Sequence, residues 1–232
     1  MRLKIYGATV IGPRHQELKE PNQDCITIQG FCGGWIAAVA DGLGSKRYSH
    51  IGSKHACQVA ANILRQSDDS RHMDDLLRAI HVEWKNKISP LYPHDASTTL
   101  LFVKINRDGR FRVAQLGDGL LLIRSNGQFS RLTPTRKGYG NQTEALGTEF
   151  KLKDWLWADG YLSKKNDAIV LMTDGISDDL DYEYLSEFVT ALEQDLQHRN
   201  RRTGRRWLQR ELEEWSTPMH SDDKSLIAIF RN

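Results

Sequence analysis

The stretch WIAAVADG at residues 35–42 and the stretch AIVLMTDG at residues 168–175 each join an apolar run to an Asp-Gly pair. Apolar runs without polar alternation predict strands that are buried on both faces. Asp41 and Asp174 would then lie at the open ends of two buried strands. Carboxylates that meet beside a core repel each other and lose hydration unless a cation lies between them. The two stretches therefore predict a metal site.

An Asp-Gly pair alone is weak evidence, because it is also a frequent hairpin turn. The chain has three more such pairs, at Asp108-Gly109, Asp118-Gly119 and Asp159-Gly160. Asp108-Gly109 lies between two alternating segments and is interpreted as a plain turn. The apolar runs before Asp41 and Asp174 distinguish those two pairs from it.

The remaining pattern separates helices from strands along the chain. Strands are predicted over residues 3–11, 25–29, 35–40, 168–173 and 225–230, with an antiparallel meander within 97–132. Helices are predicted over residues 49–65, 73–88, 182–197 and 205–215, and a loop over 133–150. This order favours α+β layers over a doubly wound parallel sheet, in a single domain over residues 1–232.

Composition excludes several classes of protein. The 32 Lys and Arg residues nearly balance the 30 Asp and Glu residues, so charge gives no reason to expect nucleic acid or an acidic membrane as a partner. The three cysteines form no metal or disulfide pattern and favour a reducing compartment. No apolar stretch approaches the roughly 18 residues of a membrane span. We expect a soluble, cytoplasmic protein.

Further aspartates flank the predicted strands: Asp24, Asp118, Asp178 and the pair Asp222-Asp223. Oxygen ligands without His or Cys suit Mg²⁺ or Mn²⁺, whose coordination is completed by waters. Such sites commonly handle phosphate. Adjacent residues leave a strand in opposite directions, so either Asp222 or Asp223 could be the ligand.

Six short strings, in order along nearly the whole chain, resemble the metal-dependent protein phosphatases of type 2C, the PPM family. They are NQD at 22–24, VADGLGS at 39–45, ASTT at 96–99, QLGD at 115–118, TDGISD at 173–178 and DDKS at 222–225. The resemblance implies a four-layer αββα sandwich, with two antiparallel sheets face to face between paired helices. It also implies hydrolysis of phosphoserine and phosphothreonine by a water that bridges two Mn²⁺ or Mg²⁺ ions.

Site roles follow from the same resemblance. Asp41 would bridge both ions, and the Gly42 carbonyl would be another ligand. Asp174 and Asp222 would hold the first ion, and Asp24 would lie on the side of the second. A third ion could lie near Asp118, Asp174 and Asp178.

The chain departs from the family pattern at three positions. Lys19 stands where many members have an Arg that grips phosphate in a bidentate manner. We therefore expect Arg14, His15 or Lys19 to bind the phosphate. Leu43 stands where some members have a His that protonates the leaving group, and Gln23 replaces an acidic residue near the second ion.

The resemblance leads us to expect phosphorylated proteins as substrates. A serine/threonine kinase would carry out the opposite reaction, and the enzyme would act as a monomer. Two alternatives remain: a phosphatase-fold module that binds phosphoproteins without turnover, and a phosphatase of small phosphorylated metabolites. The segment Arg199–Arg206 holds five arginines and could dock nucleic acid or a phosphorylated partner. A solvated turn between two helices is the favoured interpretation of that segment.

Overall fold

A computed structural model describes residues 2–133, 143–215, 217 and 221–232 of the chain. Within them the strands are β1 (Leu3–Val10), β2 (Asp24–Phe31), β3 (Gly34–Asp41), β4 (Leu100–Ile105), β5 (Arg110–Leu116), β6 (Leu120–Ser125), β7 (Gln128–Arg131), β8 (Leu156–Tyr161), β9 (Ala168–Met172) and β10 (Lys224–Arg231). The α-helices are α1 (Pro13–Leu18), α2 (Ser49–Gln66), α3 (Met73–Ile88), α4 (Asp174–Ser177), α5 (Leu185–Leu196) and α6 (Arg201–Glu214). Short 3₁₀ helices cover Pro93–Ala96, Leu152–Asp154 and Tyr182–Tyr184.

The strands form two antiparallel five-stranded sheets. One sheet has the order β1-β10-β9-β6-β7, and the other has the order β2-β3-β4-β5-β8. β2 and β3 are joined by a tight turn in which Cys32 and Gly33 have φ values of 46° and 81°. Two positive φ values in sequence are typical of the type I′ turn, whose twist matches that of the flanking strands.

Three apolar layers hold the four layers of secondary structure together. Along β3, Ile36 and Ala38 pack toward α2 and α3, whereas Ala37 and Val39 pack between the sheets. β9 shows the same alternation: Ala168, Val170 and Met172 face α5 and α6, whereas Ile169 and Leu171 face the other sheet. Because successive side chains of a strand point to opposite faces, only an all-apolar run can fill two cores at once.

The predicted α+β sandwich is confirmed, with two antiparallel sheets face to face and helices outside. The predicted meander is wrong. β4 and β5 pair with each other in one sheet, but β6 pairs with β9 and β7 in the other. The chain therefore changes sheets at residues 117–119, where Gly117 has a φ of 102°.

Two further elements differ from the sequence prediction. β8 was not predicted, and it pairs with the edge of β5. α6 begins at Arg201 rather than at residue 205, so most of the arginine segment is helical and the predicted turn there is wrong. The predicted loop at 133–150 lies partly outside the described residues, and residues 143–150 contain only isolated bridges.

In the described part of the chain, no helix has the length and apolar character that a membrane span requires.

Candidate metal centre

Strand ends from both sheets bring the predicted aspartates to one end of the sandwich. β2 begins at Asp24 and β3 ends at Asp41, and the register places these two residues directly opposite each other. Asp174 follows the end of β9, and Asp222 precedes the start of β10, which pairs with β9. Asp118 lies where the chain crosses from one sheet to the other. The crossing explains how Asp118 meets aspartates of both sheets.

Asp41, Asp118 and Asp174 form the first acidic group. One carboxylate oxygen of each lies within 4.8 Å of the others, and all three side chains are partly buried. The Thr143 hydroxyl donates a hydrogen bond of 2.6 Å to Asp118 Oδ2. Three carboxylates so close together are an oxygen-rich donor set of the kind that divalent cations use.

Asp24 is buried beside this group. Its Oδ2 accepts a 2.8 Å hydrogen bond from the Thr173 hydroxyl, and its backbone N–H donates to Asn22 Oδ1 at 2.8 Å. Its other oxygen, Oδ1, is buried and has no hydrogen-bond partner among the described residues. Buried carboxylate oxygens are normally satisfied, so this atom is suited to an additional ligand.

Burial and mutual repulsion raise the pKa values of two of these carboxyls. The pKa of Asp41 is raised well above its usual value, first by burial and then by the charges of Asp24, Asp174 and Asp222. The pKa of Asp24 is also raised well above its usual value, by burial and then by the charge of Asp223. A cation at this end of the sandwich would offset both effects.

Asp222 and Asp223 differ in orientation. Asp223 is buried, and its oxygens accept hydrogen bonds from the backbone N–H groups of Gly12 at 2.7 Å and Gln23 at 2.6 Å. Asp223 Oδ2 also lies 2.9 Å from His15 Nδ1. Asp222 is exposed, and its charge acts on Asp41. The backbone hydrogen bonds thus occupy the oxygens of Asp223, whereas the side chain of Asp222 is exposed.

Gly175 allows the Asp222-Asp223 segment to approach Asp174. A Cβ at position 175 would lie 2.0 Å from the backbone oxygen of Asp223, closer than a non-bonded carbon can come. Gly42 is also confined, because a Cβ there would lie 2.7 Å from the backbone of Ser49. Both Asp-Gly pairs therefore need glycine for close packing, and neither glycine has the positive φ of a hairpin turn.

Neighbouring threonines fix the position of Asp41. The Thr98 hydroxyl donates to the Asp41 carbonyl at 2.7 Å, and the Asp41 N–H donates to the Thr99 hydroxyl oxygen at 3.0 Å. Thr173 fixes Asp24 in a similar way. These hydroxyls were not among the predicted site residues, although each adjoins an aspartate or belongs to one of the six strings.

The remaining predicted residues lie at the edge of the centre or outside it. Asp178 is exposed, one helical turn beyond Asp174, and belongs to neither acidic group of the described residues. His15 is buried and forms the second group with Asp222 and Asp223. Arg14 and Lys19 are exposed on α1 and at its end. Gln23 is buried, and its side-chain oxygen accepts a 2.9 Å hydrogen bond from Ser49.

Solved structures with this fold include several phosphatases. The photosystem II phosphatase PBCP is 18% identical over 99% of both chains, with a TM-score of 0.70. The catalytic domain of the serine/threonine phosphatase PstP with two manganese ions is 16% identical over 98% of this chain and 97% of its own, with a TM-score of 0.67. RsbX with magnesium is 17% identical over 98% and 94% of the two chains, with a TM-score of 0.63.

No curated protein sequence matches the chain. The family model described as protein phosphatase 2C, in contrast, matches residues 11–215. Because that match covers most of the 232 residues, the chain belongs to the protein phosphatase 2C family and is a phosphatase.

Proposed function

We propose that the protein is a metal-dependent protein serine/threonine phosphatase, formed by one catalytic domain over residues 1–232. The observation that carries the proposal is the convergence of Asp41, Asp118 and Asp174, with carboxylate oxygens within 4.8 Å of one another. Asp24 lies opposite Asp41 with a buried oxygen that has no partner among the described residues. Family membership supports the reaction class.

The residues present fit Mn²⁺ or Mg²⁺. The side chains of the acidic group are all carboxylates, and Asp24, whose buried oxygen has no partner among the described residues, lies opposite Asp41 at the same end of the sandwich. We propose that Asp41, the Gly42 carbonyl, Asp174, Asp222 and Asp24 hold two ions, and that Asp118 and Asp178 serve a third. When bound, such ions lower the pKa of water and neutralise phosphate charge.

The chain's own groups would position these ligands and the substrate. Thr98, Thr99 and Thr173 hold Asp41 and Asp24 through the hydrogen bonds described above. We propose that Arg14, His15 or Lys19 binds the phosphate group of the substrate. Arg14 and Lys19 are exposed, whereas His15 faces Asp223, so the two exposed cations are better placed for direct contact.

With Leu43 at this position, no side chain there can donate a proton to the departing alkoxide. The backbone N–H of Leu43 donates to Ser97 at 3.0 Å, and its aliphatic side chain cannot act as an acid. General-acid catalysis is typically worth about 10²- to 10⁴-fold in rate. We therefore expect faster turnover of activated aryl phosphates than of alkyl phosphates.

We propose that the substrates are phosphorylated proteins and that a serine/threonine kinase catalyses the opposite reaction. We also propose that the enzyme acts as a monomer. Cys25, Cys32 and Cys57 are all free thiols, which supports a reducing compartment such as the cytoplasm.

The test measures hydrolysis of p-nitrophenyl phosphate and of a phosphothreonine peptide with Mn²⁺, with Mg²⁺ and with a chelator. Wild-type activity should require metal, and Asp174→Asn should reduce kcat by about 10³-fold or more, because the substitution removes a charged ligand. Asp108→Asn is the matched control, since Asp108 also precedes a glycine but lies at an exposed hairpin turn.

Absence of turnover by folded, metal-loaded wild type would contradict the proposal and favour the phosphoprotein-binding alternative. Turnover of small phosphorylated metabolites, without turnover of the phosphopeptide, would instead favour a metabolite phosphatase.

A further inference from the structure

A basic groove lies between α6 and the edges of both sheets. Its volume is about 680 Å³, and β1 and β2 are the edge strands beside it. We call it the arginine groove and define it by its principal lining residues, which are Ile26, Ile28, Arg201, Arg202, Arg205 and Arg206. The arginine segment noted in the sequence thus lines a concave surface rather than a turn.

The four arginines are not neutralised by the protein. They are exposed, and among the described residues no carboxylate lies within salt-bridge distance of them. No Asp or Glu is among the described residues that line the groove. The groove is therefore an uncompensated concentration of positive charge in a chain whose formal net charge is only +2.

This arrangement is unfavourable for the helix that carries it. Arg201 and Arg202 occupy the first turn of α6, which has no acidic residue, and the helix dipole disfavours cations there. Arg201 with Arg205, and Arg202 with Arg206, are also like-charged neighbours one turn apart, which destabilise a helix further. An anion in the groove would relieve both effects.

A second basic groove continues the first. It has a volume of about 600 Å³ and includes Arg2, Arg107 and Trp35, without Asp or Glu among its described lining residues. The Arg201 guanidinium lies 4.9 Å from the centre of the Trp35 ring and so joins the two grooves. The positive surface is therefore elongated, which fits an extended chain better than a single small anion.

The arginine groove also begins close to the metal centre. Ile26 and Ile28 follow Asp24 on β2, and a strand rises about 3.3 Å per residue, so they lie roughly 7 and 13 Å along the strand from Asp24. An extended polypeptide spans that distance with about two to four residues. One substrate segment can therefore occupy both places.

We propose that the arginine groove binds an acidic segment of the phosphoprotein substrate, so that the enzyme prefers phosphorylated residues that have acidic residues a few positions away. The inference rests on the proposed function. The aliphatic wall of Ile26 and Ile28 favours a polypeptide over a nucleic acid. The Arg201 guanidinium also covers one face of the Trp35 ring, which leaves less aromatic surface for base stacking.

The test compares two phosphothreonine peptides, one with four glutamates about three to six residues from the phosphothreonine and one with glutamines there. The variant is Arg202→Glu/Arg205→Glu, which replaces both like-charged pairs by attractive pairs and should fold at least as well. Wild type should prefer the glutamate peptide by about tenfold in kcat/KM, through KM. The variant should lose that preference and hydrolyse p-nitrophenyl phosphate unchanged.

The control is Lys85→Glu/Lys87→Glu, which reverses two exposed charges on α3, in the opposite helical layer. It should keep the preference for the glutamate peptide. Equal preference in wild type and in the groove variant, or equal loss in the control, would overturn the proposal.

Fluorescence anisotropy separates this inference from the proposed function. A fluorescein-labelled glutamate peptide without phosphate should bind wild type in a salt-sensitive manner and should not bind the groove variant. This result would stand even if no phosphate ester were hydrolysed, which would contradict only the proposed function. Tighter binding of a single-stranded oligonucleotide than of the peptide, lost in the groove variant, would overturn the choice of occupant.

Discussion

Asp24 and Asp41 lie directly opposite each other on β2 and β3, where two like-charged side chains destabilise a sheet. The protein holds them there despite burial and despite the charge of Asp174, which acts on both. Burial is the main cause of the raised pKa of Asp41, and the charge of the opposed Asp24 raises it further. This repulsion leads to the first prediction.

Asp41→Asn should stabilise the metal-free protein and abolish its stabilisation by metal. The substitution removes one of the repelling charges, which we expect to be worth about 1 kcal/mol, or a few degrees in Tm. Wild type should instead gain stability on addition of Mn²⁺, because an ion that binds only the folded state shifts the equilibrium. Thermal unfolding with and without Mn²⁺ measures both effects. A variant that is less stable than metal-free wild type would contradict the repulsion argument.

Gly175→Ala should destabilise the protein and disturb the metal centre. Its Cβ would lie 2.0 Å from the Asp223 backbone oxygen, so the segment before β10 must move away from Asp174. Overpacking of this kind typically costs about 1–3 kcal/mol. Gly30→Ala is the control, since a Cβ there makes an ordinary 3.7 Å contact with Trp35. Urea denaturation and Mn²⁺ titration of both variants check the expectation, which fails if the two behave alike.

Asp222→Ala and Asp223→Ala should have different consequences although the residues are adjacent. Asp223 accepts hydrogen bonds from the Gly12 and Gln23 N–H groups, and a buried donor without a partner costs about 1–3 kcal/mol. We expect Asp223→Ala to lose about 3 kcal/mol or more of stability. Asp222→Ala should retain stability without metal and bind Mn²⁺ more weakly. Equal losses of stability would show that both carboxylates are structural.

His81 should make stability depend on pH between about 4 and 6.5. Burial, with a smaller contribution from Lys85, lowers the pKa of His81 from 6.5 to about 4 in the folded state. The unfolded chain therefore binds more protons in this range, so stability falls as the pH falls from 6.5 towards 4. We expect His81→Phe to remove about 2 kcal/mol of this decrease, since each unit of pKa is worth about 1.4 kcal/mol. Urea denaturation of both proteins at pH 7, 5.5 and 4.5 measures the difference. Parallel pH profiles would contradict the assignment.

Local sequence was sufficient to predict the strands whose two faces are both buried in apolar cores. β3 and β9 were predicted from their apolar runs, because each run packs against a helix layer on one face and the other sheet on the other. The same runs placed Asp41 and Asp174 at strand ends. The convergence of the aspartates was thus predictable, whereas the hydroxyls that hold them depend on contacts between distant segments.

Other elements depend on contacts that local sequence does not contain. β8 includes Asp159-Gly160, which has the pattern of a turn, but its pairing with β5 keeps the segment extended. α6 includes Gly204 in an arginine-rich segment, yet that glycine is buried against Tyr6, where a Cβ would lie 2.4 Å from the ring. The crossing at Gly117 likewise depends on which strands pair afterwards.

The metal centre takes its aspartates from both sheets, and this has a mechanical consequence for the sandwich as a whole. Asp24 and Asp41 belong to one sheet, and Asp174 and Asp222 adjoin the other, while the core between the two sheets is apolar. An ion shared by these carboxylates would link the two sheets and limit how far one sheet can slide over the other. By thermodynamic reciprocity, the packing of buried side chains such as Val39 and Leu171 between the sheets would change the affinity for the ion. The affinity for the ion and the alignment of the two sheets would therefore be coupled.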